Sequence, residues 1–136
     1  MKICYLDDVP SNNFVFEATI KRIDKCNLPD IDIELDLYEG MTDEFIRKIP
    51  EYDIIFTDWM MPVYSGENVL QEVRKRDVAK PCVIISAYCG DNVIEKACIR
   101  YNCTAIQKPY TKNDIINVLK QYFIERDIVA EWKEYC

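Results

Sequence analysis

The chain has 136 residues, 49% of them hydrophobic and 30% charged, which is the make-up of one globular domain with a core of its own. Its formal net charge of −7 argues against nonspecific binding to nucleic acid and suits cations and basic partners. It contains no histidine, which excludes histidine bases, histidine metal ligands and a phosphohistidine carried by this chain.

No apolar run approaches the roughly 20 residues that cross a bilayer. The N-terminus enters an apolar strand with no secretory pattern, so a cytoplasmic location away from membranes is expected. The seven cysteines form no C-x-x-C pair, and their odd count reads as reduced thiols. Cys4 and Cys82 lie in strand-like runs and are expected in the core.

In chain order, Lys2–Leu6 is a short apolar strand that runs into Asp7-Asp8. Ser11 is the expected cap of a helix over Asn12–Asn27, where Phe16, Ile20 and Ile23 recur at helical spacing. Ile31–Tyr38 alternates apolar residues with Asp32, Glu34, Asp36 and Tyr38, the pattern of a half-exposed edge strand. Gly40 turns the chain, Thr42 caps a short helix carrying Phe45, Ile46 and Ile49, and Pro50 ends it.

Ile54-Ile55-Phe56 is too brief for a helix and fits a strand buried on both faces, ending on Asp58, with Pro62 marking a loop. A third helix starts near Ser65 with Val69, Leu70 and Val73 facing inward. Pro81 precedes a fourth strand, Cys82–Ile85, which ends on Ser86-Ala87. Asp91 is the expected cap of a helix through Tyr101, with Ile94, Ala97 and Cys98 facing in. Thr104–Gln107 is a fifth strand ending on Lys108-Pro109. Thr111 and Asp114 then form a capping-box pattern for a helix with Ile115, Ile116, Leu119, Tyr122 and Phe123 inside.

Five strands alternating with five helices imply an α/β three-layer sandwich around a parallel sheet. The edge character of the second strand points to order 2-1-3-4-5, the flavodoxin-like arrangement, whose ligand crevice lies between strands one and three. Asp7, Asp8 and Asp58 then meet at one sheet edge, repelling by roughly 3 kcal/mol per pair at an effective dielectric near 20. A cation offsets that repulsion. Oxygen-only ligands favour a hard ion, Mg²⁺ or Mn²⁺. Ser86 adds a hydroxyl and Lys108 an ammonium, completing the parts for phosphoryl transfer to an aspartate.

D-D after strand one, D-x-x-M-P over Asp58–Pro62, S-A at Ser86-Ala87 and K-P at Lys108-Pro109 resemble the receiver domain of two-component response regulators. Asn12, four residues after Asp8, is similar to a variant of receivers in hybrid kinases and phosphorelays. The resemblance covers residues 1–124 and leaves 125–136 as an extension of the last helix, with Ile128, Val129 and Trp132 either a candidate interaction face or packed back on the domain.

The resemblance implies that Asp58 is the phosphoacceptor and a metal ligand. Asp8 would bind Mg²⁺ directly and Asp7 largely through water, with the Met60 carbonyl as a further ligand. Ser86 and Lys108 would contact the phosphoryl group, with Ala87 leaving room for it, and the Lys108–Pro109 bond would be cis. Ala105 stands where the family usually carries an aromatic switch residue, so movement of the loop after strand four, through Ser86, would have to carry the signal. Met60 and Tyr88 flank the site as bulky groups expected to hinder attacking water.

The expected partners are a sensor histidine kinase or a histidine phosphotransfer protein, and a downstream protein target. That target would meet the face made by the fourth helix, fifth strand and fifth helix. Nucleic acid is not an expected partner, and the chain is expected as a monomer or weak dimer, a signalling module rather than an enzyme. One rival is a partner-binding module that is never phosphorylated; the complete acid set and Lys108 count against it. The other is a Mg²⁺-dependent phosphatase with an aspartyl nucleophile, which needs a second Asp where Met60 stands.

Overall fold

A computed structural model describes residues 1–26, 32–90 and 92–125. The chain runs β1 (Lys2–Leu6), α1 (Pro10–Cys26), β2 (Glu34–Tyr38), α2 (Asp43–Lys48), a 3₁₀ turn (Ile49–Glu51), β3 (Ile54–Asp58), α3 (Gly66–Arg76), β4 (Cys82–Ser86), α4 (Asn92–Tyr101), β5 (Thr104–Gln107) and α5 (Lys112–Glu125). All strand pairs are parallel, in the expected order β2-β1-β3-β4-β5. No described helix is long and apolar enough to cross a membrane. The expected cap Asp91 and the segment 126–136, with Ile128, Val129 and Trp132, lie outside the described residues.

Strand parity builds two apolar layers, because successive side chains point to opposite faces. Ile3, Tyr5, Ile54, Phe56, Val83, Ile85 and Ile106 face one way, against Phe16 and Ile20 of α1 and Ile115 and Leu119 of α5. Cys4, Leu6, Ile55, Cys82 and Ile84 face the other way, against Phe45 of α2, Val69, Leu70 and Val73 of α3, and Ile94 and Ala97 of α4. Both strand cysteines are thus in the core, while Cys98 is only partly buried.

The caps follow the residue chemistry. Thr42 accepts the Phe45 N–H at the start of α2. Ser65 and Asn68 satisfy each other's backbone N–H groups at the start of α3, and Thr111 and Asp114 do so for α5.

Three expectations need correction. Ser11 is not the cap of α1: Pro10 begins that helix, where its fixed φ suits the first position and its missing N–H costs nothing. Pro50 does not end the chain's helical path, which continues through the 3₁₀ turn Ile49–Glu51. Tyr38, expected on the exposed face of β2, is covered, although this edge strand is otherwise half-exposed. Tyr38 is buried against Phe45 and Tyr52; its hydroxyl meets the Tyr52 hydroxyl, which donates to Asp36 Oδ2 at 2.6 Å. Aromatic cover from Phe45 of α2 and from Tyr52, just after the 3₁₀ turn, overrides the period-two pattern at Tyr38.

The α3 start is pressed against the end of β3. A Cβ on Gly66 would sit 2.6 Å from the Asp58 carbonyl oxygen and 2.9 Å from Trp59 Cα, both backbone atoms that can give way only by shifting the strand end. Gly66→Ala is expected to lower stability by about 1–3 kcal/mol. Urea unfolding checks this, and an unchanged midpoint contradicts the close approach.

Candidate functional site

Parity also decides which side chains share the sheet edge. Asp7, Asp58 and Lys108 each lie two residues beyond a member of the α1/α5 layer: Tyr5, Phe56 and Ile106. They therefore emerge on one face, and β1 and β3 are direct neighbours. Lys108 Nζ stands 3.0 Å from Asp58 Oδ1 and 3.2 Å from Asp7 Oδ2. Asp8 joins them: a carboxylate oxygen from each of Asp7, Asp8 and Asp58 lies within 4.8 Å of the others.

Asp7 is 0% exposed and Asp58 8%, whereas Asp8 is half-buried and open to solvent. Three carboxylates at this spacing, with no nitrogen or sulfur donor, fit a small hard divalent ion reached from the Asp8 side. Met60, expected to offer its carbonyl, follows β3 on the adjoining loop with its side chain exposed.

Ser86 falls on the opposite parity, two residues beyond Ile84 of the other layer. It is buried, and its Oγ accepts the Tyr88 N–H at 3.1 Å. Ala87 is exposed and lines a cavity of about 370 Å³ with Tyr5, Val15, Lys108, Pro109 and Tyr110. The Lys108–Pro109 bond is cis. Ala105 is exposed and opens on a larger groove of about 640 Å³ between β5 and α5, away from the acids.

Three contacts at the site were not foreseen. The buried Tyr5 hydroxyl donates to Asp7 Oδ2 at 2.6 Å, although Tyr5 reads in the sequence as one more apolar strand residue. Asn13 donates its Nδ2 to the Asp7 carbonyl at 2.7 Å; one helical position separates it from Asn12. Gln107 Nε2 donates to the carbonyls of Ala87 and Lys108 while its Oε1 accepts the Cys89 N–H, tying β5 to the loop after β4. The parity of Tyr5 with Asp7 was a readable signal; the other two were not.

Burial is the main influence on Asp58 and pushes its carboxyl up; the Lys108 hydrogen bond opposes this and the Asp7 charge adds to it, leaving the pKa above its ordinary 3.8. Burial pulls the Lys108 ammonium down, but the Asp58 bond and charge, with those of Asp7, outweigh it and raise the group overall. Lys108 is therefore charged at neutral pH, and it compensates the acids only in part.

The comparisons with known proteins agree with this geometry. The model of the response regulator receiver domain matches residues 3–120. No curated protein matches the chain. Among solved structures, a response regulator receiver domain protein from Clostridium thermocellum is 21% identical, with a TM-score of 0.75 over 93% of this chain and 96% of its own. Chemotaxis protein CheY4 of Vibrio cholerae is 17% identical, with a TM-score of 0.73 over 89% of this chain and 97% of its own. The receiver domain of sensor histidine kinase PA1611 from Pseudomonas aeruginosa PAO1, which has a magnesium ion coordinated in its active site cleft, is 20% identical. Its TM-score is 0.69 over 89% of this chain and 95% of its own. The chain belongs to the response regulator receiver domain family, a class of two-component signalling module.

Because Asp58 is held above its unfolded pKa, its ionisation destabilises the metal-free fold. That penalty is complete above the folded pKa, shrinks as pH falls through it, and is gone below about 3.8. Asp58→Asn is expected to stabilise the metal-free protein at pH 7, with the gain fading towards pH 4. Urea unfolding in EDTA across this range checks both sign and trend.

Proposed function

We propose that this receiver takes a phosphoryl group from a partner's phosphohistidine onto Asp58, in a reaction that requires Mg²⁺. The observation that carries the reading is the meeting of Asp58 with Asp7, Asp8 and Lys108 at the carboxyl ends of the strands. The receiver unit is read as residues 1–124, with 125–136 as an extension.

In the transfer, an Asp58 carboxylate oxygen attacks phosphorus in line as the phosphorus–nitrogen bond to the donor imidazole breaks. The imidazole leaves with that bond's electron pair. Asp8, Asp58 and the Met60 carbonyl, with Asp7 through water, would hold a divalent ion, which would supply positive charge to the phosphoryl oxygens. Lys108 already contacts Asp58 and needs only a side-chain adjustment to pair with an incoming phosphoryl oxygen. Ser86 donates its hydroxyl proton to that group, which its acceptance of the Tyr88 N–H leaves free. Ala87 leaves space beside it.

The acyl phosphate shifts an inactive–active equilibrium, and movement of the loop after β4 transmits the change, since Ala105 offers no aromatic rotamer. A swing from 1:99 to 99:1 takes about 5.5 kcal/mol of differential stabilisation. Output is protein binding through the α4–β5–α5 face, or onward transfer to a histidine phosphotransfer partner, in the cytoplasm. A sensor histidine kinase or phosphotransfer protein is the donor.

Acetyl phosphate with Mg²⁺ should add about 80 Da, one HPO₃, to the intact mass. The adduct should vanish in EDTA and in Asp58→Asn. Continuous phosphate release with no adduct would instead indicate a phosphatase, and no reaction a partner-binding module. Met60 and Tyr88 lie two residues beyond Asp58 and Ser86 with exposed side chains, read as shielding the acyl phosphate, and a polar side chain at position 60 would admit water. Met60→Asn should shorten the adduct's lifetime severalfold, read from its decay by mass; unchanged decay contradicts the shielding role.

A further inference from the structure

The donors around Asp7 are arranged so that its charge is answered without a metal. Tyr5 is 0% exposed and its ring stacks on Phe16 with centroids 4.5 Å apart, which fixes where the phenol oxygen lies. That hydroxyl donates to Asp7 Oδ2 at 2.6 Å, the same oxygen that takes Lys108 Nζ at 3.2 Å. The other oxygen, Oδ1, accepts the Val9 N–H at 3.0 Å. Asp7 thus has three donors, two of them neutral groups fixed by backbone or core packing.

We infer that Tyr5 tunes the metal site: its hydroxyl stabilises the charge of the Asp7 carboxylate in the metal-free state and thereby weakens the binding of Mg²⁺. The inference rests on the Mg²⁺ reading above. A divalent ion gains affinity here by relieving repulsion among three acids, and every donor already present removes part of that gain. A hydrogen bond to a charged acceptor is about twice as strong as a neutral one, so a buried phenol on Asp7 is a large contribution. Orientation of the carboxylate does not depend on it, because Val9 N–H and Lys108 hold both oxygens.

Tyr5→Phe removes the hydroxyl and keeps the ring on Phe16. Calorimetric titration with MgCl₂ is expected to give a Kd lower than wild type by roughly threefold to tenfold. Melting should show a lower Tm than wild type in EDTA and a larger rise on adding Mg²⁺. Tyr5→Ile, with neither ring nor hydroxyl, should show the same gain in affinity, and circular dichroism verifies that each variant is folded. A purely structural role lowers Tm equally with and without Mg²⁺ and leaves Kd unchanged; that result, or weaker Mg²⁺ binding in the variants, overturns the inference. Wild-type protein that takes up no Mg²⁺ overturns the metal reading itself and this inference with it.

Discussion

The Lys108 ammonium, set between Asp58 and Asp7, is the interaction on which this site depends. Two buried carboxylates on neighbouring strands are tolerable only with a positive charge against both, and removing the lysine would leave both uncompensated at a cost of about 3–5 kcal/mol. The lysine reaches them because β5 ends on the same face of the sheet as β1 and β3, two residues past Ile106. Strand order alone would not suffice: parity sends Asp7, Asp58 and Lys108 to the α1/α5 side and Ser86 to the other.

The compensation is incomplete, and the incompleteness suits a binding site. Asp58 is held above its usual pKa despite its lysine, and the half-buried Asp8 adds a third carboxylate on the solvent side. Structure that is locally unfavourable at rest is a common cost of function. The apolar layers pay for it: Ile3, Leu6, Ile54, Ile55 and Phe56 are all fully buried on the two strands that carry the acids. The loop after β4 is bound on two sides, by Tyr88 N–H on Ser86 and by Gln107 on Ala87 and Cys89. The loop after β4 is thus joined to β5 through side-chain hydrogen bonds.

Much of this was legible in the residues. The short apolar runs at β1, β3 and β4 define a buried parallel sheet, and acids, a hydroxyl and a lysine placed at the ends of different strands define its edge. The helix faces were equally clear, because Val69, Leu70 and Val73, or Ile115, Ile116 and Leu119, repeat at helical spacing. What stayed hidden depends on partners from distant segments. Tyr38 reads as part of a polar face until Phe45 and Tyr52 cover it. Tyr5 reads as apolar filling, although its strand parity with Asp7, two residues on, was readable. Asn12 and Asn13 are indistinguishable until the rotation of α1 is known. Pro10 also suited the first helical position better than Ser11 suited the cap, a preference the sequence did contain.

The most direct test of the account is chemical trapping of the acyl phosphate. Protein treated with acetyl phosphate and Mg²⁺ is reduced with borohydride, which converts a phosphorylated aspartate to homoserine, and the peptides are then sequenced by mass spectrometry. Homoserine at position 58 alone is the predicted result. Reduction at position 7 or 8, or at no position while Mg²⁺ is bound, would contradict the assignment of the lysine-paired β3 aspartate as the acceptor.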